Sequence, residues 1–260
     1  MKIKILNQTD REIRFLLEDS NPQFANALRR IMISEVPILA IQTVDFTTND
    51  SVLYNEVIAH RLGMIPLVFN YKDFHFRDKH DEGKTCSNCE VAFAINKKGP
   101  GMVYSKDMKS SNPDVKPLFD NIPIIELFDD QKLKLEAYAY LGFGKDHARH
   151  QGAIASYKYL ATISLNGKID NADECVRRCP KHALKINGKT VAVDANCDLC
   201  KECIEMCDPK GGLEINEDST KFVFDVESIS GLDAKDLVLQ AVDILKGKLK
   251  DFGKEAKKIK

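Results

Sequence analysis

The segment 21–37 (NPQFANALRRIMISEVP) constrains the fold most, because it predicts a helix whose apolar surface is too wide for one-sided burial. Asn21 is a good N-cap, Pro22 suits the first helical position, and Pro37 ends the helix. At about 100° per residue, its apolar side chains cover an arc of roughly 180°, against the ~100° of an ordinary surface helix. The members of this arc are Phe24, Ala25, Ala27, Leu28, Ile31, Met32 and Val36.

A second helix with an equally wide apolar arc is predicted over residues 233–252, close to the other end of the chain. Two helices of this kind indicate that a second subunit packs against them, helix on helix. The alternative is that the first helix lies in the centre of the chain's own core.

The composition is typical of a globular protein, and its small net charge creates no strong electrostatic field. The 260 residues are 43% hydrophobic and 30% charged, and 38 basic residues against 39 acidic ones leave a net charge of −1. Such a balance does not attract nucleic acid or an anionic membrane to the surface as a whole. Because no signal peptide or membrane span is evident, we expect a cytoplasmic protein. In that reducing compartment, eight cysteines favour metal or cluster binding over disulfides.

Alternation of apolar and polar residues predicts strands in both halves of the sequence, among them residues 12–18, 133–140, 157–165 and 221–227. Together with the two wide-faced helices, these strands predict an α+β fold.

The predicted fold has three parts. A discontinuous α/β dimerisation domain comprises residues 1–45, 158–167 and 217–260. Short strand-like pieces separated by Gly, Pro, Asn and Asp predict an inserted mostly-β domain over 46–157. Residues 168–216 are rich in cysteine and glycine but poor in large apolar side chains, which predicts a small ferredoxin-like iron–sulfur domain.

The cysteine spacing in this last part is the strongest chemical signal in the sequence. Two groups are similar to those of a two-cluster bacterial ferredoxin: Cys175-x3-Cys179-Pro180 and Cys197-x2-Cys200-x2-Cys203-x3-Cys207. In that pattern one cluster is bound by Cys179, Cys197, Cys200 and Cys203. The sequence therefore predicts one [4Fe–4S] cluster, or a [3Fe–4S] cluster after loss of an iron. A zinc ion bound by the same four cysteines is the alternative.

The second ferredoxin site is incomplete. Ile169 and Ala172 stand where two of its cysteines are expected, which leaves only Cys175 and Cys207. We therefore predict that this site is empty and that Cys175 and Cys207 are either thiols or a disulfide.

A second set of metal-binding residue types lies near the middle of the chain. His75 and His80 precede Cys86-x2-Cys89, and these four side chains are of the types that bind zinc. The alternative is a polar surface loop with an empty site.

The sequence contains no signature of an active site. It has no glycine loop for phosphates, no activated nucleophile and no carboxylate cluster for catalytic magnesium. We therefore predict no catalytic residue, and we expect His147 and His150, which lie in a basic loop, to be solvated or interface residues.

Three motifs together carry a family resemblance: residues 24–30 (FANALRR), 35–37 (EVP) and 59–67 (AHRLGMIPL). They resemble the Rpo3 family of archaeal DNA-directed RNA polymerases, the counterpart of the N-terminal part of the bacterial α subunit and of the third-largest eukaryotic polymerase II subunit. Further similarity extends through residues 99–105, 121–124 and 144–148, so the resemblance spans nearly the whole chain. Some members of this family carry a ferredoxin-like insertion.

The resemblance implies a non-catalytic assembly platform within a nucleotidyltransferase complex that acts in transcription. It implies a heterodimer with a small subunit L through the two wide-faced helices, on which the large catalytic subunits assemble and which the small subunits N and P join. Nucleic acid would be reached only through the complex. The interface residues expected on this basis are Phe24, Leu28, Ile31, Leu237, Ala241 and Ile244.

The iron–sulfur domain would stabilise this platform or tune it by redox state. The competing hypothesis is a ferredoxin-type electron carrier or oxidoreductase subunit. Only about fifty residues support that hypothesis, and it leaves both wide-faced helices unexplained.

Overall fold

A computed structural model describes residues 1–77, 86–167, 169–187 and 190–259. The chain combines five helices with antiparallel sheets in its described part, which confirms the α+β class. The helices are α1 (Pro22–Ser34), α2 (Asn55–Gly63), α3 (Ala172–Arg178), α4 (Glu202–Glu205) and α5 (Ala234–Ala256). The strands are β1 (Lys2–Gln8), β2 (Glu12–Glu18), β3 (Ile38–Asn49), β4 (Leu67–Val68), β5 (Val91–Lys98), β6 (Gly101–Tyr104), β7 (Lys109–Ser110), β8 (Lys116–Pro117), β9 (Pro123–Leu127), β10 (Lys132–Gly142), β11 (Ala153–Leu165), β12 (Leu184–Asn187), β13 (Thr190–Val193) and β14 (Leu213–Ser228).

The two wide-faced helices predicted from the sequence are α1 and α5. The side chain of Asn21 caps α1 by accepting a hydrogen bond from the backbone N–H of Phe24 at 2.8 Å, as predicted. The helix ends at Ser34, three residues before Pro37. None of the helices within the described ranges is both long and apolar enough to span a membrane.

Contacts divide the chain into two compact units. The first comprises Met1–Gln8, Ile13–Arg29 and Ser156–Asp225, and the second comprises Thr9–Glu12, Arg30–Ala155 and Val226–Lys260. Helix α5 therefore belongs to the unit that also contains most of the mid-chain strands. The domain boundaries drawn from the sequence stay a prediction.

The first unit is built on a four-stranded sheet in the order β1-β2-β14-β11. Its core is aromatic: the rings of Phe15 and Phe224 are stacked with centroids 4.9 Å apart, and Tyr157 meets Phe222 edge to face. Strand β1 lies at the sheet edge, and all of its residues are exposed.

The second unit contains a sheet in the order β3-β10-β5-β7. Strand β10 pairs antiparallel with both β3 and β5, and its buried residues alternate with exposed ones, so one face carries the core. Leu135 of β10, Phe93 of β5 and Ile41 of β3 are almost fully buried there, as are Ile58 and Leu62 of α2.

The turn after β6 holds a small charged network centred on Asp107. The Asp107 carboxylate accepts hydrogen bonds from Lys97 Nζ at 2.7 Å and from the Tyr104 backbone N–H at 2.8 Å. Burial raises the pKa of this carboxyl, but the hydrogen bonds from Lys97 and Tyr104 outweigh burial and lower the pKa below its ordinary value. The ionised form is therefore favoured by folding.

Replacing Asp107 with asparagine should lower the free energy of unfolding by about 1 kcal/mol at pH 7. Because the folded pKa is lowered, this contribution is complete above the unfolded pKa of about 4 and disappears as the pH falls through the folded value. Urea unfolding at several pH values measures it. The matched control is Asp130→Asn, since Asp130 pairs with Lys98 at a fully solvated position. The stabilising role of the ionised Asp107 carboxylate would be contradicted if both variants lowered the free energy of unfolding equally. It would also be contradicted if the effect of Asp107→Asn persisted in acid.

Candidate functional site

The cysteine-rich insertion, residues 166–212, lies between two neighbouring strands of the first unit. It leaves β11 and returns to β14, and its two ends meet where the Asn166 N–H donates to the Gly212 carbonyl at 2.8 Å. Helix α3 carries Cys175 and is followed directly by Cys179, while α4 carries Cys203. The chain topology therefore brings cysteines that are distant in sequence into one small region.

Two contacts join α3 to α4. Arg178 Nε on α3 lies 2.6 Å from Glu202 Oε1 on α4. The side chain of Asn171, at the start of α3, donates to the Met206 carbonyl at 2.6 Å and accepts from the Asp208 N–H at 2.8 Å. Asn171 thus fixes the segment after α4 against the beginning of α3.

Cysteines form a large part of the insertion's core. Cys175, Cys179, Cys203 and Cys207 are buried in one cluster with a few aliphatic side chains, the largest of which include Leu184, Leu213 and Ile215. Cys197 is half-buried, and Cys200 is exposed. Four of the ten buried residues of this core are cysteines, whose side chains bury less apolar surface than those of leucine or isoleucine.

The four predicted cluster ligands lie close enough to influence one another's ionisation. Burial, and after it the charges of the other three thiols, raises the pKa of Cys203 to about 11. Burial also raises the pKa of Cys197, with Cys179 and Cys200 adding to the effect. Four converging thiolates are therefore unfavourable without a positive partner, and bound metal supplies one.

The backbone around these ligands adopts uncommon conformations. Of the five non-glycine residues with positive φ in the described chain, three flank the cysteines: His182 at 51°, Leu199 at 60° and Lys201 at 64°. Such conformations persist where the surroundings enforce them, and they are frequent at binding sites. In addition, the Ala183 N–H donates to Cys179 Sγ at 3.4 Å.

A zinc site and an iron–sulfur cluster differ in how far apart they hold their cysteine sulfurs. Within the described ranges, no three His, Cys, Asp or Glu side chains converge closely enough to hold one ion. In a cubane cluster each thiolate binds a different iron, so the sulfurs stand further apart than around one zinc. Four cysteines are a donor set of zinc sites and of iron–sulfur clusters alike, so the kind of metal stays a prediction.

Cys175 and Cys207, the remnants of the second site, are buried as free thiols. The Cys207 thiol donates to the Cys203 carbonyl at 3.0 Å. Burial, together with a hydrogen bond to Cys175, raises the pKa of Cys207 to about 12, so the thiol is neutral at physiological pH. Ile169 and Ala172, which replace the expected ligands, pack into the same apolar cluster.

Of the predicted zinc ligands, three are described and His80 lies outside the described residues. His75 Nε2 lies 3.5 Å from Cys86 Sγ, and the Cys86 N–H lies 3.1 Å from Cys89 Sγ. Burial raises the pKa of Cys89, which is almost fully buried. The three side chains approach one another in pairs, and the zinc site stays a prediction.

Most of the predicted interface residues already take part in the chain's own packing. Leu28, Ile31, Leu237 and Ala241 are buried, whereas Phe24 and Ile244 are only half-buried. The apolar residues that α5 leaves exposed are Leu239, Leu249 and Phe252, of which Leu249 and Phe252 are 63% and 73% exposed. The interface itself stays a prediction.

Sequence reasoning missed three residues that hold the insertion in place. Besides Asn171, these are Arg14 on β2, which donates to Asn196 Oδ1 at 2.7 Å, and Lys158 on β11, which donates to the Asn196 carbonyl at 3.0 Å. An asparagine immediately before a short helix was a usable signal for Asn171. Arg14 and Lys158 carry no local signal, because their partners are distant in sequence.

Comparison with known proteins extends over the whole chain. A family model described as the RNA polymerase Rpb3/RpoA insert domain matches residues 41–165. DNA-directed RNA polymerase subunit Rpo3 of Methanothermobacter thermautotrophicus is 40% identical over 253 residues, which cover 95% of this chain and 96% of the relative. The Rpo3 subunits of Methanosarcina acetivorans and Pyrococcus horikoshii are 37% and 38% identical over 259 and 263 residues, covering at least 97% of each chain.

Proposed function

Because the chain belongs to the family of DNA-directed RNA polymerase subunit Rpo3, we propose that it nucleates polymerase assembly by pairing with a small L-type subunit. It is a non-catalytic subunit of a nucleotidyltransferase complex. In this proposal the heterodimer receives the large catalytic subunits and the small subunits N and P. An independent electron carrier is not favoured, since the relatives match from end to end and not only in the cysteine-rich insertion.

The observation that carries the pairing is the uncovered second half of α5. Its apolar residues Leu249 and Phe252 stand exposed among lysines, and Ile244 and Leu245 are half-buried. Solvated apolar side chains of this size on one helix are typical of an interface. A helix from a small partner would bury them, in keeping with the wide apolar arc of α5.

For the insertion we propose one [4Fe–4S] cluster bound by Cys179, Cys197, Cys200 and Cys203, or a [3Fe–4S] form. When bound, the cluster supplies iron–thiolate bonds and a redox couple. The thiolates tie the end of α3 to α4 and to the loop between β13 and α4, which compensates for the small apolar core. We also propose zinc at His75, Cys86 and Cys89 with His80 as a further ligand.

The pairing is tested by changing both exposed apolar residues of α5 to aspartate. The double variant Leu249→Asp, Phe252→Asp should weaken the heterodimer with the L-type subunit by at least about 30-fold, because exposed aromatic and aliphatic anchors dominate interfaces. Coexpression followed by size-exclusion chromatography with light scattering measures complex formation.

The matched control is Lys250→Asp, which introduces the same charge between the two positions on the solvated side of α5. Normal pairing of the double variant would exclude this helix end from the interface. Equal loss in the control would point to a general charge effect.

A further inference from the structure

We infer that residues 194–197, here called the ligand turn, couple the metal site of the insertion to the four-stranded sheet of the first unit. Arg14 of β2 and Lys158 of β11 are the positioning residues that act through this turn on two of the proposed ligands. The inference rests on the proposed metal site, because it states how that site is held and how metal binding affects the sheet. All of the residues involved belong to the first unit.

The ligand turn joins two of the proposed ligands by backbone hydrogen bonds. The Cys197 N–H donates to the Asp194 carbonyl at 3.2 Å, and the Asp194 N–H donates to the Ala183 carbonyl at 3.0 Å. The Ala183 N–H in turn donates to Cys179 Sγ. The Asp194 carboxylate closes the turn by accepting from the Asn196 N–H at 2.7 Å. A displacement of the ligand turn would therefore move Cys197 and Cys179 together.

Two cations of the sheet hold the ligand turn from outside the insertion. The guanidinium of Arg14 donates to Asn196 Oδ1 at 2.7 Å and to the Ala195 carbonyl at 2.9 Å. Lys158 Nζ donates to the Asn196 carbonyl at 3.0 Å. These three bonds end on the two residues immediately before Cys197, so they fix the backbone that leads into this ligand. Groups outside the ligand set that orient metal ligands in this way contribute to metal affinity.

Arg14 is itself held within the sheet. Its Nε forms an ion pair with Asp225 on the neighbouring strand β14, at 3.0 Å from Oδ1. The adjacent residues on these two strands, Phe15 and Phe224, stack against each other in the aromatic core. Because successive side chains of a strand point to opposite faces, Arg14 and Asp225 lie on the face opposite to these rings. A shift of Arg14 would thus also disturb the packing of the sheet.

The two cations act through hydrogen bonds and not through a net positive charge. Burial and, after it, the charge of Arg14 lower the pKa of Lys158, whereas the charges of Asp225 and Asp198 raise it. These two carboxylates offset the two cations. We therefore expect the number and direction of the hydrogen bonds to matter, and the charge alone to matter little.

Coupling of this kind is reciprocal. If the contacts of Arg14 and Lys158 favour the ligand positions that bind metal, bound metal favours the same contacts. The metal-loaded insertion then stabilises β2 and β11, and loss of the metal weakens its hold on both strands. This gives the insertion a defined route to the sheet, in addition to its covalent connections to β11 and β14.

The first experiment follows metal release from the full-length chain purified without oxygen. A chelator is added, and the iron or zinc that stays bound is measured by elemental analysis over time. Arg14→Leu should release the metal at least about tenfold faster, since residues that orient ligands contribute about 10–100-fold to metal affinity. The matched control is Arg177→Leu on α3, an exposed arginine closer in sequence to the ligands, which should leave release unchanged.

Conservative substitutions separate positioning from charge. Lys158→Met should accelerate release, whereas Lys158→Arg should restore the normal rate, because arginine keeps a donor for the Asn196 carbonyl. Arg14→Lys should not restore it, since one amine does not replace the fork that binds Asn196 Oδ1 and the Ala195 carbonyl together. If Arg14→Lys and Lys158→Arg both behaved like the unmodified chain, charge would be sufficient and the positioning role would be wrong.

The second experiment measures the transfer to the sheet by hydrogen exchange of the loaded and the chelated chain. In the unmodified chain, removal of the metal should speed exchange in peptides from β2 by at least about twofold. In Arg14→Leu, removal should make no further difference in β2, because the link to the ligand turn is already lost. An arginine that only stabilised the sheet would leave the response to metal intact.

Unchanged metal release in Arg14→Leu, or equal acceleration in Arg177→Leu, would overturn the inference and leave the metal site standing. The same holds if the exchange of β2 responds equally to metal with and without Arg14. An unmodified chain that contains neither iron nor zinc after anaerobic purification would overturn both the metal site and the inference.

Discussion

Exchange of Cys203 for alanine should release iron from the chain and unfold the cysteine-rich insertion, while the four-stranded sheet of the first unit stays folded. Cys203 is a buried member of the predicted ligand set and lies on α4, so its loss would remove the proposed iron–thiolate bond to this helix. Structural metals contribute on the order of 10 kcal/mol to the folding of small domains. We expect that the aliphatic side chains of this core, six of which are buried, do not replace that contribution.

Anaerobic purification, iron and sulfide analysis and limited proteolysis of the insertion measure this effect. We expect about four irons per chain in the unmodified protein and loss of most of them in the variant. The matched control is Cys207→Ala, since Cys207 is equally buried, follows the same helix and is not a predicted ligand. Retained iron after Cys203→Ala, or equal loss in both variants, would contradict the ligand assignment. Zinc in place of iron would identify a single-ion site.

Exchange of Gly231 for alanine should destabilise the second unit by about 3–5 kcal/mol, at the upper end of what single substitutions do. Gly231 lies between β14 and α5, where a Cβ atom would overlap the backbone carbonyl of Leu67. Backbone atoms at the centre of a packed unit move only with their neighbours, so the strand β4 and the segment before α5 would have to separate.

Thermal and urea unfolding of the isolated chain measure the effect of Gly231→Ala. The control is Gly247→Ala in the middle of α5, where an added Cβ meets nothing within 4 Å. That substitution should stabilise the helix by about 0.5–1 kcal/mol, because alanine favours helix over glycine. If Gly231→Ala lowers the stability and Gly247→Ala raises it, the effect of steric overlap is distinguished from that of backbone entropy. A small loss of stability in Gly231→Ala would mean that β4 moves aside at little cost in free energy.

Helices α1 and α5 were predicted well, because capping and apolar periodicity are local signals, whereas the short helices α3 and α4 were not predicted. The Asn21 cap, α1 and α5 are examples. Strand ends were predicted less well: alternation marks residues 221–227, whereas β14 begins at Leu213. The extra residues are mostly polar, and they are extended because they pair with a neighbouring strand, which no local pattern reveals.

In the candidate site, the spacing of the cysteines predicts which side chains are ligands. It does not predict which other residues hold this region in place. The cysteine intervals carry the whole prediction of Cys179, Cys197, Cys200 and Cys203. The fixation of the same region by Arg14 depends on the sheet bringing β2 next to residue 196. The burial of Gln240 was not predicted either, because a glutamine in a helix is expected to be exposed until its neighbours in the fold are known.

The position of β14 between β2 and β11 sets an order of events during synthesis. β14 is a central strand of its sheet, yet it is the last of the four to be made. Until it emerges from the ribosome, β1 and β2 have no pairing partner on their inner side, and the cysteines that precede it remain outside any completed sheet. Insertion of the proposed cluster would therefore have an interval during translation in which its ligands lie outside a completed sheet.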